Sequence, residues 1–298
     1  MAGSTTYDDV SIREDLLDLM YEQTPLETPF WNLIGDSESE STVHQWTKRT
    51  IPGRVDNAQV EAGAFSLSNP TLASRVDNLT QIIWRTFTVS RTMQSVTRAA
   101  INDLFADQFE VAMIGVKLDQ EHAFIRGSQA SGDGTTTARR MGGLLNVVTT
   151  NNTTMSLVSL TEDILGQFIQ LGFTQGSNMR HVMVHGILRQ RISSFATNVT
   201  KFEDVRDQRA VRTIAIYQTD LVEPLEIVTS RDMPSALNSD PSESLVLFDV
   251  DHFAKAWLDQ PMGEVLAKTA DSLDGVVVSE VSLEFGDEKN AVVAGGLL

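Results

Sequence analysis

A histidine pair, a glycine-flanked aspartate, an arginine pair and an Asp-x-Asp are the residues of this chain whose types and spacing could carry chemistry. His181 and His185 have the His-x-x-x-His spacing that presents two zinc ligands on a helix. Here the intervening Val-Met-Val is strand-like and no third ligand is near, so both read as structural histidines. Gly132-Asp133-Gly134-Thr135 resembles a phosphate cradle, but it lacks the Gly-Lys-Ser/Thr ending and follows no strand, and a mobile loop is the simpler reading. Arg139-Arg140 could touch nucleic acid; a solvated pair or an intersubunit ion pair fits an acidic chain better. Asp249-x-Asp251 offers a divalent cation only two carboxylates, which read more simply as charge at a helix N-terminus.

Trp46 and Trp84 could form an aromatic ligand platform, although packing on each other or on a partner is the plainer use of indoles. The chain has no Gly-x-Ser-x-Gly elbow and no cysteine, hence no thiol nucleophile, thiolate metal site or disulfide. The residues make a weak case for an enzyme. No catalytic, metal or cofactor site is expected.

Length and composition set the frame in which those residues sit. The 298 residues are 41% apolar and 21% charged, the balance of a globular chain of one large domain or two ordinary ones. No apolar run approaches the roughly 20 residues that cross a bilayer, and the first residues lack the features of a secretory signal. A net charge of −17 argues against sequence-specific DNA binding, which needs clustered Lys and Arg.

The elements alternate along the chain. Ser11–Tyr21 has capping-box spacing (Ser11, Glu14) and predicts a short helix, stopped by Thr24-Pro25 and followed by the aromatic cluster Phe30-Trp31. Residues 43–89 predict two extended arms around a turn-rich tip at Gly63–Pro70, the second arm placing Ile83, Phe87 and Val89 on one side. Apolar residues at steps of three and four from Ile101 to Phe124 predict a helix over 102–127, ended by Gly127. Residues 146–267 mix helices (Thr161–Gly172, Gly186–Phe195, and a short one starting at Asp249) with strands (His181–His185, Val211–Tyr217, Leu225–Thr229, Leu245–Phe248). The chain closes with an alternating strand, Val276–Phe285, a polar turn, and a returning strand at Ala291–Ala294.

One segment departs from the acidic background. Residues 40–98 hold seven basic residues (Lys48, Arg49, Arg54, Arg75, Arg85, Arg91, Arg98) against four acids, while the remainder carries 16 basic and 36 acidic groups. A positive excursion on an acidic body suggests a segment that lies on another copy of the chain, since opposite potentials set register and partner choice.

The order of elements, with the phrases Ser11-Ile-Arg-Glu-Asp-Leu, Glu27-Thr-Pro-Phe-Trp-Asn-Leu-Ile-Gly35, Gly142-Gly-Leu-Leu and Leu266-Ala-Lys-Thr-Ala-Asp-Ser272 to Glu288-Lys-Asn290, resembles the major capsid proteins of tailed double-stranded DNA bacteriophages. The resemblance spans essentially the whole chain. It implies an α+β, HK97-like fold: N-arm and first helix at 1–39, an extended loop at 40–93, a peripheral domain with spine helix and Gly-rich loop at 94–140, an axial domain at 141–267, and a C-terminal β-hairpin of the peripheral domain at 268–298.

The implied function is a structural subunit that self-assembles into an icosahedral shell around the double-stranded DNA genome, in the virion, after assembly in the bacterial host cytoplasm. Implied partners are further copies in pentamers and hexamers, a portal, scaffolding or decoration proteins, and packaged DNA held without sequence-specific contact; no membrane is involved. The arm begins almost at Met1, so a separate scaffolding protein, or none, is expected. Intersubunit contacts are expected from Trp46, Lys48, Arg49, Arg54, Phe65, Arg75 and Arg85 of the loop, with arginines pairing with acids on neighbouring subunits. Asp133, Arg139 and Arg140 are expected at local three-fold contacts, and Arg13, Glu14 and Asp15 in the arm. The alternatives are an encapsulin-like compartment of the same fold and, in a different class, a soluble α+β enzyme.

Overall fold

The computed structural model of the chain describes residues 27–64, 69–96, 101, 103–195, 216–221, 224–238, 240–268 and 270–298. The helix expected at 11–21, with Arg13, Glu14 and Asp15, lies outside the described residues, as do Phe65 and most of the strand expected at 211–217.

Pro29 opens the short helix α1 (Pro29–Leu33), which buries Phe30 completely, and Ile34 leads into β1 (Gly35–Glu38). β2 (Val43–Lys48) and β3 (Ser74–Leu79) form a two-stranded antiparallel ribbon, registered Val43 on Leu79 through Lys48 on Ser74. Only these short stretches of the expected arms pair; the described residues between them are exposed and hold no strand. At Thr80 the chain leaves the ribbon, and β4 (Gln81–Ser90) joins a different sheet, so the second arm is broken rather than continuous. Ile83 and Val89 are buried and Phe87 is half-buried, which is the side expected.

Helix α2 (Arg91–Ser95) precedes the long α3 (Leu104–Arg126). Asp103 caps α3, accepting the amides of Phe105 and Ala106 at 3.0 and 3.3 Å; such a cap satisfies donors the first turn leaves unpaired. At about 1.5 Å per residue α3 is about 34 Å long. It ends at Gly127, whose amide still bonds to Ala123 O. Gly127 and Gly143 touch: a Cβ on Gly143 would stand 2.5 Å from the Gly127 nitrogen, so no side chain fits in that crossing.

The second half comprises α4 (Leu144–Val147), β5 (Asn152–Val158), α5 (Glu162–Thr174), β6 (His181–Val184), α6 (Gly186–Phe195), β7 (Ile216–Tyr217), β8 (Leu225–Thr229) and β9 (Glu243–Phe248). Thr161 caps α5 through the Ile164 amide, as its position suggested.

Asp249 caps a single 3-10 turn and not a helix, after which β10 (Phe253–Val265) and β11 (Ser272–Phe285) form a long antiparallel hairpin. This corrects the expected closing hairpin. β12 (Ala291–Leu297) does not return along β11; it enters the other sheet between β5 and β9. The helix expected from Asp249 does not form: Ala254, Lys255 and Ala256 are good helix formers by local propensity, but pairing with β11, the next strand, decides the conformation. Pro261 falls within the register shift between Asp259 and Met262, where no ladder donor is required of it.

The four-stranded sheet runs β1-β10-β11-β4, with α3 on one face, and the six-stranded sheet runs β5-β12-β9-β6-β8-β7. One core lies between α3 and the smaller sheet and continues to Met183, Val246 and Val293 of the larger one; α5 and α6 cover a second core with Phe168, Leu188 and Ile192. Phe30, Phe248 and Phe253 meet edge-on at the junction.

Candidate subunit interface

The β2–β3 ribbon is anchored to its own chain at the far end of β11. Trp46 stacks edge-on to Phe285 with ring centres 4.9 Å apart and donates its Nε1–H to Gly286 O at 3.3 Å. His44 Nε2 lies 3.2 Å from Glu284 and Lys48 Nζ 3.3 Å from Asp287. Asn78, fully buried, donates to the carbonyls of Gly142 and Leu283 and accepts the Gly142 amide, tying ribbon, loop and hairpin together. Trp84 is on another sheet and 59% exposed, so no tryptophan platform forms.

Three of the basic residues expected at intersubunit contacts have acidic partners within the chain. Lys48 meets Asp287 as described, and Arg85 makes a two-pronged contact with Asp119 of α3 at 2.7 and 2.8 Å. That hydrogen bond holds the Arg85 guanidinium above its ordinary pKa. Arg139 donates to Thr80 O at 2.7 Å and pairs with Glu280 of β11. Arg91, also in the basic segment, pairs with Asp271 at 3.0 Å. Their acids were hidden from sequence reading by separations of up to 239 residues.

Arg49, Arg54 and Arg75 differ from these. All three are exposed, and among the described residues none has an ion-pair partner; Arg75 bonds only to Gln45 Oε1, at 3.2 Å. Between them stand Ile51, Val55, Val60 and Leu72, each about 80% exposed.

The Gly-rich loop is organised and not loose. Asp133 accepts the amides of Thr135, Thr136 and Thr137, and the Thr136 hydroxyl and these amides hold its carboxyl well below the usual range. Ala130 and Arg140 pair through their backbones across the loop's base, leaving the Arg140 side chain exposed. Such self-capping leaves no cluster of amides turned outward for a phosphate.

His181 lies 3.6 Å from Glu226 and His185 4.0 Å from Glu243, and burial lowers the His181 pKa. Among the described residues no group of three metal-ligating side chains exists. Asp249 caps Asp251 N, and no described helix is long and apolar enough to cross a membrane.

Sequence reading missed a buried polar knot under α1. Glu121, with no exposed surface, accepts the amides of Phe30 and Trp31; Trp31 Nε1 donates to Gln120, and Lys117 and Lys255 stand 4.0 and 3.9 Å from the Trp31 ring centre. Within the helical pattern Glu121 reads as surface charge.

A long helix laid on a long hairpin, a ribbon carrying an exposed loop, and a second mixed sheet constitute the architecture of a capsid-type shell subunit, the HK97-like fold. A Mycobacterium phage Ogopogo structure superposes with a TM-score of 0.68 at 12% identity, covering 99% of each chain. The capsid asymmetric unit of cyanophage A-1(L) gives 0.69 at 13%, over 98% of this chain and 99% of the other. The holo-SrpI encapsulin complex of Synechococcus elongatus gives 0.61 at 12%, over 100% and 96%. Curated protein sequences return no match. The family itself is settled by sequence: the model of the SU10 major capsid protein matches residues 2–297, and the chain belongs to that family.

Proposed function

We propose that this major capsid protein closes into an icosahedral shell of pentamers and hexamers around double-stranded DNA, each subunit clasping a neighbour with the loop at 49–73. The observation that carries the reading is that loop: anchored at its base by Trp46 and Lys48, it presents arginines without an ion pair and exposed aliphatic side chains among the described residues. Many weak, repeated contacts of this kind become strong through closure.

In this reading α3 with the sheet β1-β10-β11-β4 is the peripheral unit. The larger sheet with α5 and α6 is the axial unit meeting its equivalents around five-fold and six-fold positions. The division differs from the sequence-based one in assigning β10 to the peripheral unit and β12 to the axial unit. Asp133, Arg139 and Arg140 would sit towards local three-fold contacts. Residues 1–26 would be the arm, and the subunit would act without cofactor or catalysis. Assembly in the bacterial cytoplasm with a portal, and with scaffolding or decoration proteins, accords with the family.

Electron micrographs of purified protein, with nuclease-resistant DNA measured in the particles, test this. Closed particles that protect DNA are expected from infected cells; a stable monomer under all conditions would overturn the shell. The likeness to an encapsulin makes a protein-filled compartment the second reading, and DNA-free particles containing a cargo protein would establish it.

A further inference from the structure

Glu121 and His122 are neighbours near the end of α3, and they face different parts of the chain. Glu121, fully buried, accepts the Phe30 and Trp31 amides at 3.0 and 2.6 Å, so it holds the point where the chain enters the body. His122 turns to the connection between β8 and β9, where its Nδ1 lies 3.2 Å from Asp232. Arg126, one turn further on, donates to Asp232 O at 2.5 Å and pairs with Asp240 at 2.6 Å. Met233 of the same connection is fully buried in the core that α3 covers. Arg231 lies 3.7 Å from Glu27, so the connection, the entry and the helix end meet in one place.

The charges there balance in one protonation state only. Among the described residues Glu121 has no ion pair: Lys117 bonds to Asn32, Lys255 pairs with Asp36 and Arg126 with Asp240. Asp119, which also faces His122, is held by Arg85. The trio Glu121, His122 and Asp232 is neutral with both exchangeable protons in place. With both removed it carries two negative charges, one of them buried. Desolvation lifts the Glu121 carboxyl to about 7, and Asp232 raises both that group and the His122 imidazole. We propose that Glu121 and His122 form a two-proton latch: protonated, they hold the β8–β9 connection and the chain's entry on the end of α3, and loss of both protons loosens the two together. Release belongs to rising pH, because each group binds its proton more tightly in the folded chain than in the unfolded one. The latch lies within one subunit and stands apart from the shell reading.

Hydrogen exchange of the full-length protein between pH 6 and pH 8, corrected for intrinsic rates, tests the latch. Protection is expected to fall about tenfold or more at residues 28–34 and 231–238, while α5 keeps its own. Unchanged protection, or a fall at only one of the two segments, would overturn the proposal. An equal fall in α5 would also overturn it, since the opening would then be global. Glu121→Gln with His122→Gln, neutral at every pH, is expected to abolish the pH dependence at both segments. A fall as large as in the unmodified protein would overturn the assignment to this pair. Asp232→Asn gives an independent check should the paired variant fail to fold. It removes the charge that raises both groups, so the opening midpoint is expected to move to lower pH by about half a unit or more. An unmoved midpoint would overturn the latch.

Discussion

Glu121 of α3 and Trp31 of α1 meet at 2.6 Å, the carboxylate accepting the Trp31 amide with one oxygen and the Phe30 amide, at 3.0 Å, with the other. A five-residue helix cannot satisfy its own first amides, and Pro29 removes only one of them. The buried carboxylate therefore caps α1 from outside, fixing where the chain enters the body. Replacing Glu121 by Ala would leave two buried amides unpaired. We expect a loss of about 2–4 kcal/mol in subunit stability, measured by urea denaturation.

Burial outweighs those two hydrogen bonds and lifts the Glu121 carboxyl from 4.5 to about 7, Asp232 adding to the rise and Lys117 opposing it. The folded chain thus keeps a proton that the unfolded chain has lost. The corresponding stability is present in full below pH 4.5 and is lost as pH rises through 7. Neighbouring His122, whose pKa Asp232 raises, contributes with the same sign at higher pH. Glu121→Gln, neutral throughout, is expected to flatten the fall in thermal midpoint between pH 5 and pH 7. An undiminished slope in that variant would assign the dependence to other groups.

Gly263 shows how closely α3 is seated on the hairpin. A Cβ there would stand 1.5 Å from the tip of the Phe109 ring, so Gly263→Ala must displace the ring or the strand. A loss of about 1–3 kcal/mol is expected, as for other overpacked sites. Phe109→Leu in the same chain should recover part of it, and a double-mutant cycle would show coupling of about 0.5–3 kcal/mol. Additive losses would mean that the two residues do not share the space.

Local signals and remote ones were unequally legible. Helix α3 announced itself because its apolar residues recur at helical steps and Gly127 stops it; α5 did so through the Thr161 cap. Strand β10 did not, because its first half is written in helix formers and its conformation comes from β11. The loop's basic character was visible, but not which charges were spent internally, since Asp119, Glu280 and Asp287 reach Arg85, Arg139 and Lys48 only through the fold. Glu121 escaped for the same reason: its partners are backbone amides some 90 residues away.

Lys255 makes a second test of the same region. It is 3% exposed, donates to Trp31 O at 3.0 Å, lies 3.3 Å from Asp36, and stands over the Trp31 ring. A buried ammonium so placed is costly to remove singly, because Asp36 and the carbonyl lose their partner. Lys255→Met is expected to destabilise the subunit by about 2–4 kcal/mol and to change the Trp31 fluorescence. Trp257 Nε1 still donates to Asp36 at 2.8 Å, so that carboxyl should stay ionised at neutral pH.

Arg85 and Arg54 should separate stability from assembly. Arg85 is clamped on Asp119 and packed over Gly115, so Arg85→Ala is expected to lower the subunit's stability by about 1 kcal/mol, a half-exposed pair being screened by solvent. Arg54 touches no acid among the described residues, so Arg54→Glu should leave that stability within about 0.5 kcal/mol. If the loop meets a neighbour's acids, Arg54→Glu with Arg75→Glu should instead reduce particle yield, and raising salt should weaken the unmodified particle more than the variant. Assembly unaffected by both reversals, with the same salt response, would show that these arginines are simply solvated.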